Sequence, residues 1–335
     1  MDICLGVDIG TTSVSCVAVD AEGRCLAVRT REHAADVVGL PPGFAEQDPA
    51  RLASVARSLV AQFEAEFGPA EEIGWTGQMH GVVGVDDGLR PMTNLVTWRD
   101  GRRFGGRVMS DWQARGIRPF KCVPVASLVR PAAEIDRTFL HSWYLDEPGL
   151  SFPHAWLPEV VEGRMIGDNQ AGVFAAQRLM PGCAVVNLGT SGQLSVVRDE
   201  PFRGPDVPGG TTPGAARREL RPYPGGRTLD CRVSLLGGAA WDRLRRELGL
   251  GWTEMNESRD PRVLACAERI AADLFRDVDL TGVTALAGGG NALVRNPALR
   301  RAVEACAGRP CRVLPCPEMA AYGAALMVCE RRKSK

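Results

Sequence analysis

Two short runs hold the residues best suited to chemistry: Gly6-Val7-Asp8-Ile9-Gly10-Thr11-Thr12 near the N-terminus, and Val186-Asn187-Leu188-Gly189-Thr190-Ser191-Gly192 about half a chain later. In each, an apolar stretch leads into a Gly-Thr-Thr or Gly-Thr-Ser turn and a second apolar stretch follows, which predicts a β-hairpin with an exposed turn. Glycine removes the Cβ that would keep a phosphate away, and successive backbone N–H groups and hydroxyls then face an anion. One such turn alone reads as nothing more than a turn. Two of them, separated by about half the length, predict duplicated half-folds that share one nucleotide across a cleft.

Other clusters stand at the ends of apolar runs. Gly77-Gln78-Met79-His80-Gly81 lies between two strand-like segments, Ile73 to Thr76 and Val82 to Val85, where strand ends would open a cleft. Trp98-Arg99-Asp100-Gly101-Arg102 follows, then Gly167-Asp168-Asn169-Gln170-Ala171, and later Gly288-Gly289-Gly290-Asn291. Asp168 follows the apolar pair Met165-Ile166 and precedes a helix starting near Asn169, so its carboxylate falls at a helix N-terminus that favours negative charge. Its alternative reading is an N-cap only.

The elements that must position these residues are legible as pattern. After the first hairpin a third strand, Cys25 to Val28, completes a meander. A helix over Pro49 to Phe67 follows, capped by Asp48, with Leu52, Val55, Leu59, Val60 and Phe63 at helical spacing. Prolines break the stretch from Arg103 to Gly163, where only a short helix around Ile135 to Tyr144 is predicted. The segment from Arg203 to Arg227 reads as an irregular surface loop. The second half continues with helices from Gly238 and from Asp260 to Phe275, a strand Val283 to Ala287, a helix Pro297 to Ala307, a strand Cys311 to Leu314 and a last helix Glu318 to Arg332. Arg331 to Lys335 reads as a solvated tail.

The motifs in this order resemble the FGGY carbohydrate kinases. Within that family the run Thr76 to Val83 together with Asn94 to Arg102 is most similar to the branch that phosphorylates sedoheptulose, with the xylulose kinases next. The resemblance implies an α/β fold of two ribonuclease-H-like domains, of the actin and hexokinase type, flanking an ATP cleft. The division is expected at 1–167 and 168–335. It implies ATP and Mg²⁺ as the reaction's companions, with Asp8 holding Mg²⁺ through its water shell and Asp168 acting as the base that accepts the sugar hydroxyl proton. Gln78, Met79, His80, Trp98, Asp100 and Asn169 would form the sugar pocket. Gly10, Thr11 and Thr12 would meet the phosphates from one side and Gly189, Thr190 and Ser191 from the other, while Gly289, Gly290 and Asn291 would approach adenosine. The chain is shorter than is usual for the family, the missing material falling between Gly101 and Gly167 and between Gly238 and Asp260. A non-catalytic ATP- or sugar-binding protein on the same fold is the reading from another class.

Composition narrows the field further. Forty basic residues balance forty acidic ones, so no long-range field favours nucleic acid or an anionic membrane, and small molecules, a sugar and ATP, are the expected partners. A monomer or homodimer is expected. Lysine occurs only at Lys121, Lys333 and Lys335, and no Gly-Lys-Ser/Thr exists, which excludes a Walker phosphate loop. Gly288-x-Gly290 lacks the third glycine of a dinucleotide fingerprint, and Gly189-x-Ser191 lacks the last glycine of a nucleophile elbow. The eleven cysteines, an odd number set mostly in apolar runs, read as reduced buried thiols. The N-terminal residues lack a basic signal-like region and no apolar run would span a bilayer, so a cytoplasmic location is expected.

Overall fold

The computed structural model describes residues 2–78, 81–85, 91–100, 114–122, 167–201 and 217–333. The predicted helix at Ile135 to Tyr144 lies outside them. The chain forms two compact units: the first comprises Met1–Ala175 with Glu318–Lys335, the second Ala176–Pro317.

In the first unit β1 (Cys4–Ile9), β2 (Ser13–Val19) and β3 (Cys25–Glu32) make the antiparallel meander. After β4 (Glu46–Gln47) comes α1 (Pro49–Phe67), and then β5 (Glu72–Gly77) joins parallel to β1, giving the sheet order β3-β2-β1-β5. The parallel step needs a crossover, which α1 supplies. Asp48 caps that helix by accepting from the amides of Ala50 and Arg51, and Pro49 occupies its first position. Leu52, Val55, Ala56, Leu59 and Phe63 are buried against the sheet, each large side chain contributing about 1.5–3 kcal/mol. A second sheet, ordered β4-β7-β6-β8, adds β6 (Gly81–Val85), β7 (Leu95–Val96) and β8 (Arg118–Cys122).

The opposite face of the first sheet is covered by the C-terminal helix (Met319–Lys333). Glycine makes this possible. A Cβ on Gly6 would stand 1.9 Å from the Ala321 carbonyl oxygen and one on Gly74 2.0 Å from that of Ala324. A Cβ on Gly323 would meet the Ala171 carbonyl oxygen at 1.8 Å, where α2 (Asp168–Leu179) crosses the same helix. The division at 167/168 is therefore corrected. The first unit runs to Ala175, and the last helix, assigned from sequence to the C-terminal domain, packs with the first unit because its small residues fit the glycine-lined sheet. The expected tail is corrected too: Arg331 to Lys333 continue the helix, and Arg332 pairs with Asp2 and Glu71.

The second unit repeats the strand plan. There β9 (Cys183–Leu188) pairs antiparallel with β10 (Gly192–Pro201), β11 (Arg217–Tyr223) and β12 (Arg227–Leu235) extend the antiparallel side, and β13 (Ala285–Gly289) joins parallel to β9 with β14 (Cys311–Val313) beyond it. Among the described residues five α-helices follow the antiparallel strands: α3 (Gly238–Glu247), α4 (Trp252–Glu257), α5 (Pro261–Phe275), α6 (Asn291–Arg295) and α7 (Pro297–Ala307). The loop expected at Arg203 to Arg227 is corrected in its described part, since Arg217–Tyr223 is a strand turned back on β12 by Pro224-Gly225-Gly226. Arg218 grips the Asp230 carboxylate with both Nε and Nη2 at 2.9 and 3.0 Å, a cross-strand pair that favours this register over an irregular loop.

Candidate active site

Asp8 lies next to the end of β1, and sheet register sets its neighbours. Ser15 on β2 and Thr76 on β5 flank it directly, and Thr30 on β3 follows Ser15, so Thr30, Ser15, Asp8 and Thr76 form a polar row across one face. It is the face of Gly6 and Gly74, which the C-terminal helix covers. Ser15 and Thr30 share a hydrogen bond of 2.9 Å, and the Thr30 hydroxyl donates to Glu318 Oε1 at 3.0 Å. Burial, then the carboxylates of Asp168 and Glu318, push the Asp8 carboxyl up to about 8. Asp8 Oδ1 and Thr76 Oγ1 are buried without a hydrogen-bond partner among the described residues.

The orphaned Asp8 oxygen, with the Asp168 and Glu318 carboxylates acting on it, would attract a cation. Among the described residues no group of three or more His, Cys, Asp or Glu side chains is placed to hold a metal ion by itself. That combination fits Mg²⁺, which keeps several waters and takes one or two carboxylates beside substrate phosphates. Asp168 opens α2, and its Oδ1 accepts from the Asn169 amide at 2.7 Å, so the carboxylate stays at the helix N-terminus.

The turn Gly10-Thr11-Thr12 is held from behind by its carbonyls. Gln78 Nε2 donates to Gly10 O at 3.3 Å, and Gln47 Nε2 donates to Thr11 O at 2.8 Å. His33 adds a second bond to Thr11 O, 3.1 Å from Nε2. The Ala35 amide donates to His33 Nδ1, so Nε2 carries the proton, and burial, foremost, lowers the pKa of this neutral imidazole. Trp98, half exposed, donates from Nε1 to Thr11 Oγ1 at 2.9 Å. Gln78 also donates to Gln47 Oε1 at 2.8 Å, while its own Oε1 is buried and without a partner among the described residues. Asp100 accepts from the Ala45 amide at 2.7 Å, which fastens the Trp98 turn to the segment before β4.

The second turn is built alike. The amides of Gly238 and Ala239, at the start of α3, donate to the carbonyls of Gly189 and Thr190 at 2.8 and 3.0 Å. A Cβ on Gly238 would meet Gly189 O at 2.5 Å. Gly290 has φ of 81°, and a Cβ there would meet Leu188 O at 2.4 Å, so Gly289, Gly290 and Asn291 lie against the base of this loop. Thr190, Ser191 and Asn291 are exposed.

Of the residues expected from sequence, the first unit brings Asp8, Gly10, Thr11, Thr12, Gln78, Trp98, Asp100, Asp168 and Asn169 into its fold, linked as described. Met79 and His80 lie outside the described residues. The second unit brings together Gly189, Thr190, Ser191, Gly289, Gly290 and Asn291. Sequence reasoning missed Gln47 and His33, which hold the first turn, and Asp36, which anchors Gln47, and it gave Arg99, Glu318 and Thr76 no role of their own. The one signal for Gln47 was the polar run Glu46-Gln47-Asp48 ahead of a helix, which capping by Asp48 already explained.

This repeated unit, with its meander, parallel fourth strand and hairpin loop, is the ribonuclease-H-like plan of the actin and hexokinase class. A glycerol kinase from Plasmodium falciparum, solved with ADP, aligns over all of this chain and 90% of its own, with a TM-score of 0.69 at 14% identity. Residues 3–121 match the N-terminal domain of the FGGY family of carbohydrate kinases. A xylulose kinase from Staphylococcus epidermidis is 31% identical over 108 residues, which are 30% of this chain and 21% of that protein. The chain thus spans about a fifth of that relative. The human sedoheptulokinase is 25% identical over 326 aligned residues, 70% of this chain and 67% of its own.

Proposed function

We propose that the protein is a carbohydrate kinase that transfers the γ-phosphoryl group of ATP to a hydroxyl of a ketose, with sedoheptulose the preferred acceptor and xylulose second. The observation that carries this reading is the orphaned, cation-seeking Asp8 carboxylate beside Asp168, set next to a turn whose carbonyls are all tied back. The match of residues 3–121 to the N-terminal domain of the FGGY carbohydrate kinases supports a sugar kinase, and the likeness to human sedoheptulokinase over 70% of the chain supports a ketose acceptor.

The chemistry of phosphoryl transfer is mostly positioning and charge neutralisation. Asp8 would hold Mg²⁺, which when bound neutralises the β- and γ-phosphates. Thr11 and Thr12 present backbone N–H groups and hydroxyls to those phosphates, and Gly189, Thr190 and Ser191 do so in the second unit. Gln78, through its unpaired Oε1, accepts from a sugar hydroxyl in a buried setting where that bond discriminates strongly. Trp98 covers the C–H face of the ring, and Asn169 and Asp100 read further hydroxyls, with Met79 and His80 completing the pocket. Asp168 accepts the proton of the attacking hydroxyl. Gly289, Gly290 and Asn291 approach adenosine.

The test is ATP-dependent phosphorylation run in parallel on sedoheptulose, xylulose, ribulose and glycerol. The expected order of kcat/KM is sedoheptulose above xylulose, with glycerol poor. A best rate on glycerol would overturn the ketose assignment, and no turnover on any acceptor despite ATP binding would favour a non-catalytic binding protein.

A further inference from the structure

Gln47 is a fully buried amide that caps no helix, and every polar group on its side chain is used. Its Nε2 donates to Thr11 O at 2.8 Å and to Asp36 Oδ1 at 2.7 Å, and its Oε1 accepts from Gln78 Nε2 at 2.8 Å. Arg99 in turn holds Asp36 Oδ1 at 2.9 Å. Among the described residues one polar atom of the Gln78 side chain has no partner, the buried Oε1. The chain of bonds therefore has an open acceptor at one end and the phosphate turn at the other.

Peptide geometry says what the far end does. In a trans peptide the C=O and the N–H point in opposite directions. Thr11 O and Thr12 N–H belong to one peptide plane, as do Gly10 O and Thr11 N–H. Drawing both carbonyls towards Gln47 and Gln78 consequently turns both N–H groups the other way. A bond from a ligand hydroxyl to Gln78 Oε1 polarises that amide, strengthening its donation to Gln47 and, through Gln47, the bond to Thr11 O. Each link gains on the order of 10–30%.

We infer that Gln47 is a positioning residue that couples the sugar pocket to the first phosphate turn, so that a bound ketose raises affinity for Mg²⁺-ATP and the reverse. The inference rests on the kinase reading given above. Coupling of this kind is reciprocal and amounts to a factor of about 5 or more in each dissociation constant.

The experiment is calorimetric titration of the full chain with the Mg²⁺ complex of a non-hydrolysable ATP analogue, with and without saturating sedoheptulose or xylulose. The wild type is expected to bind the analogue at least about fivefold more tightly when the sugar is present. Gln47→Leu should bring that ratio close to 1 while sugar affinity alone changes far less, a split that general loosening of the fold would not produce. Should Gln47→Leu fail to fold, Asp36→Ala, at an exposed position, removes the second anchor of the same amide and should reduce the ratio at least twofold. A ratio near 1 in the wild type, or a wild-type ratio retained in folded Gln47→Leu, overturns the coupling and leaves the kinase reading standing. Loss of the ratio in either variant supports it, and an unchanged ratio in Asp36→Ala with Gln47→Leu unfolded overturns it. A wild type that binds neither ketose nor analogue defeats the kinase reading itself, and the coupling with it.

Discussion

Asp8 and Asp168 are both acidic residues beside a strand or helix end, yet their surroundings give them different work. Asp168 sits at a helix N-terminus that stabilises its charge, and as the proposed base its replacement is specific. Asp168→Asn should keep fold and nucleotide affinity and lower kcat by about 10²–10⁴-fold in a coupled phosphorylation assay. Near-normal turnover in that variant would place the base elsewhere. Asp8 is the costly one, because burial and two nearby carboxylates raise its folded pKa to about 8 from an ordinary 3.8. A raised pKa means the folded state holds the proton more tightly, so the associated stability is complete below pH ~3.8 and is lost as pH rises through ~8. Without metal or nucleotide, the wild type should therefore lose melting temperature between pH 5 and pH 8. Asp8→Asn, which cannot ionise, should flatten that slope and melt at least about 2–4 °C higher than the wild type at pH 8. Thermal melts across that range decide it, and parallel curves for the two proteins would exclude Asp8 as the source.

Among the elements, the hairpin turns owe their shape to what lies behind them. The first turn leans on side-chain amides and an imidazole, the second on the opening amides of α3. The C-terminal helix is the other decisive element, because it lies so close to β1 and β5 that only glycine fits at the crossing. Gly74→Ala adds one methyl group where the nearest atom is helix backbone, not a side chain able to move. It should destabilise the first unit by about 1–3 kcal/mol or more in urea unfolding. Gly39→Ala, at a surface turn where a Cβ meets no atom within 4 Å, is the control for glycine replacement as such, and its cost should come from its φ of 77° alone.

Across the molecule the notable feature is that the first unit is closed by the last segment of the chain. Removing residues 318–335 strips the sheet of one covering layer and takes Glu318 from the polar row. Hydrogen exchange should then show the amides of β1, β2 and β5 falling towards the fraying limit, while those of β9, β10 and β13 keep their protection. Loss of protection in both sheets to the same extent would contradict the division into two units. No helix among the described residues is long and apolar enough to cross a membrane.

The repeated Gly-Thr turn, the apolar runs around it and the cap at Asp48 are local features, and local features are what a sequence states by itself. Hence α1 and α7 begin and end where the pattern puts them, and both hairpins form at the predicted residues. The ordered motifs likewise carried the resemblance to the FGGY carbohydrate kinases, whose N-terminal domain residues 3–121 match. Long-range packing decided the rest. Whether an Ala- and Gly-rich helix pairs with the nearer or the farther sheet depends on glycines some 250–320 positions away, and nothing in its own residues says which. Gln47, His33 and Thr76 read as ordinary polar residues in a string of letters. They acquire a role only because the sheet sets Thr76 beside Asp8, and because the return of the chain before α1 buries Gln47 and His33 against the carbonyls of the first turn. A buried amide must satisfy its donors and acceptors, and which partners do so is a fact of the folded chain alone.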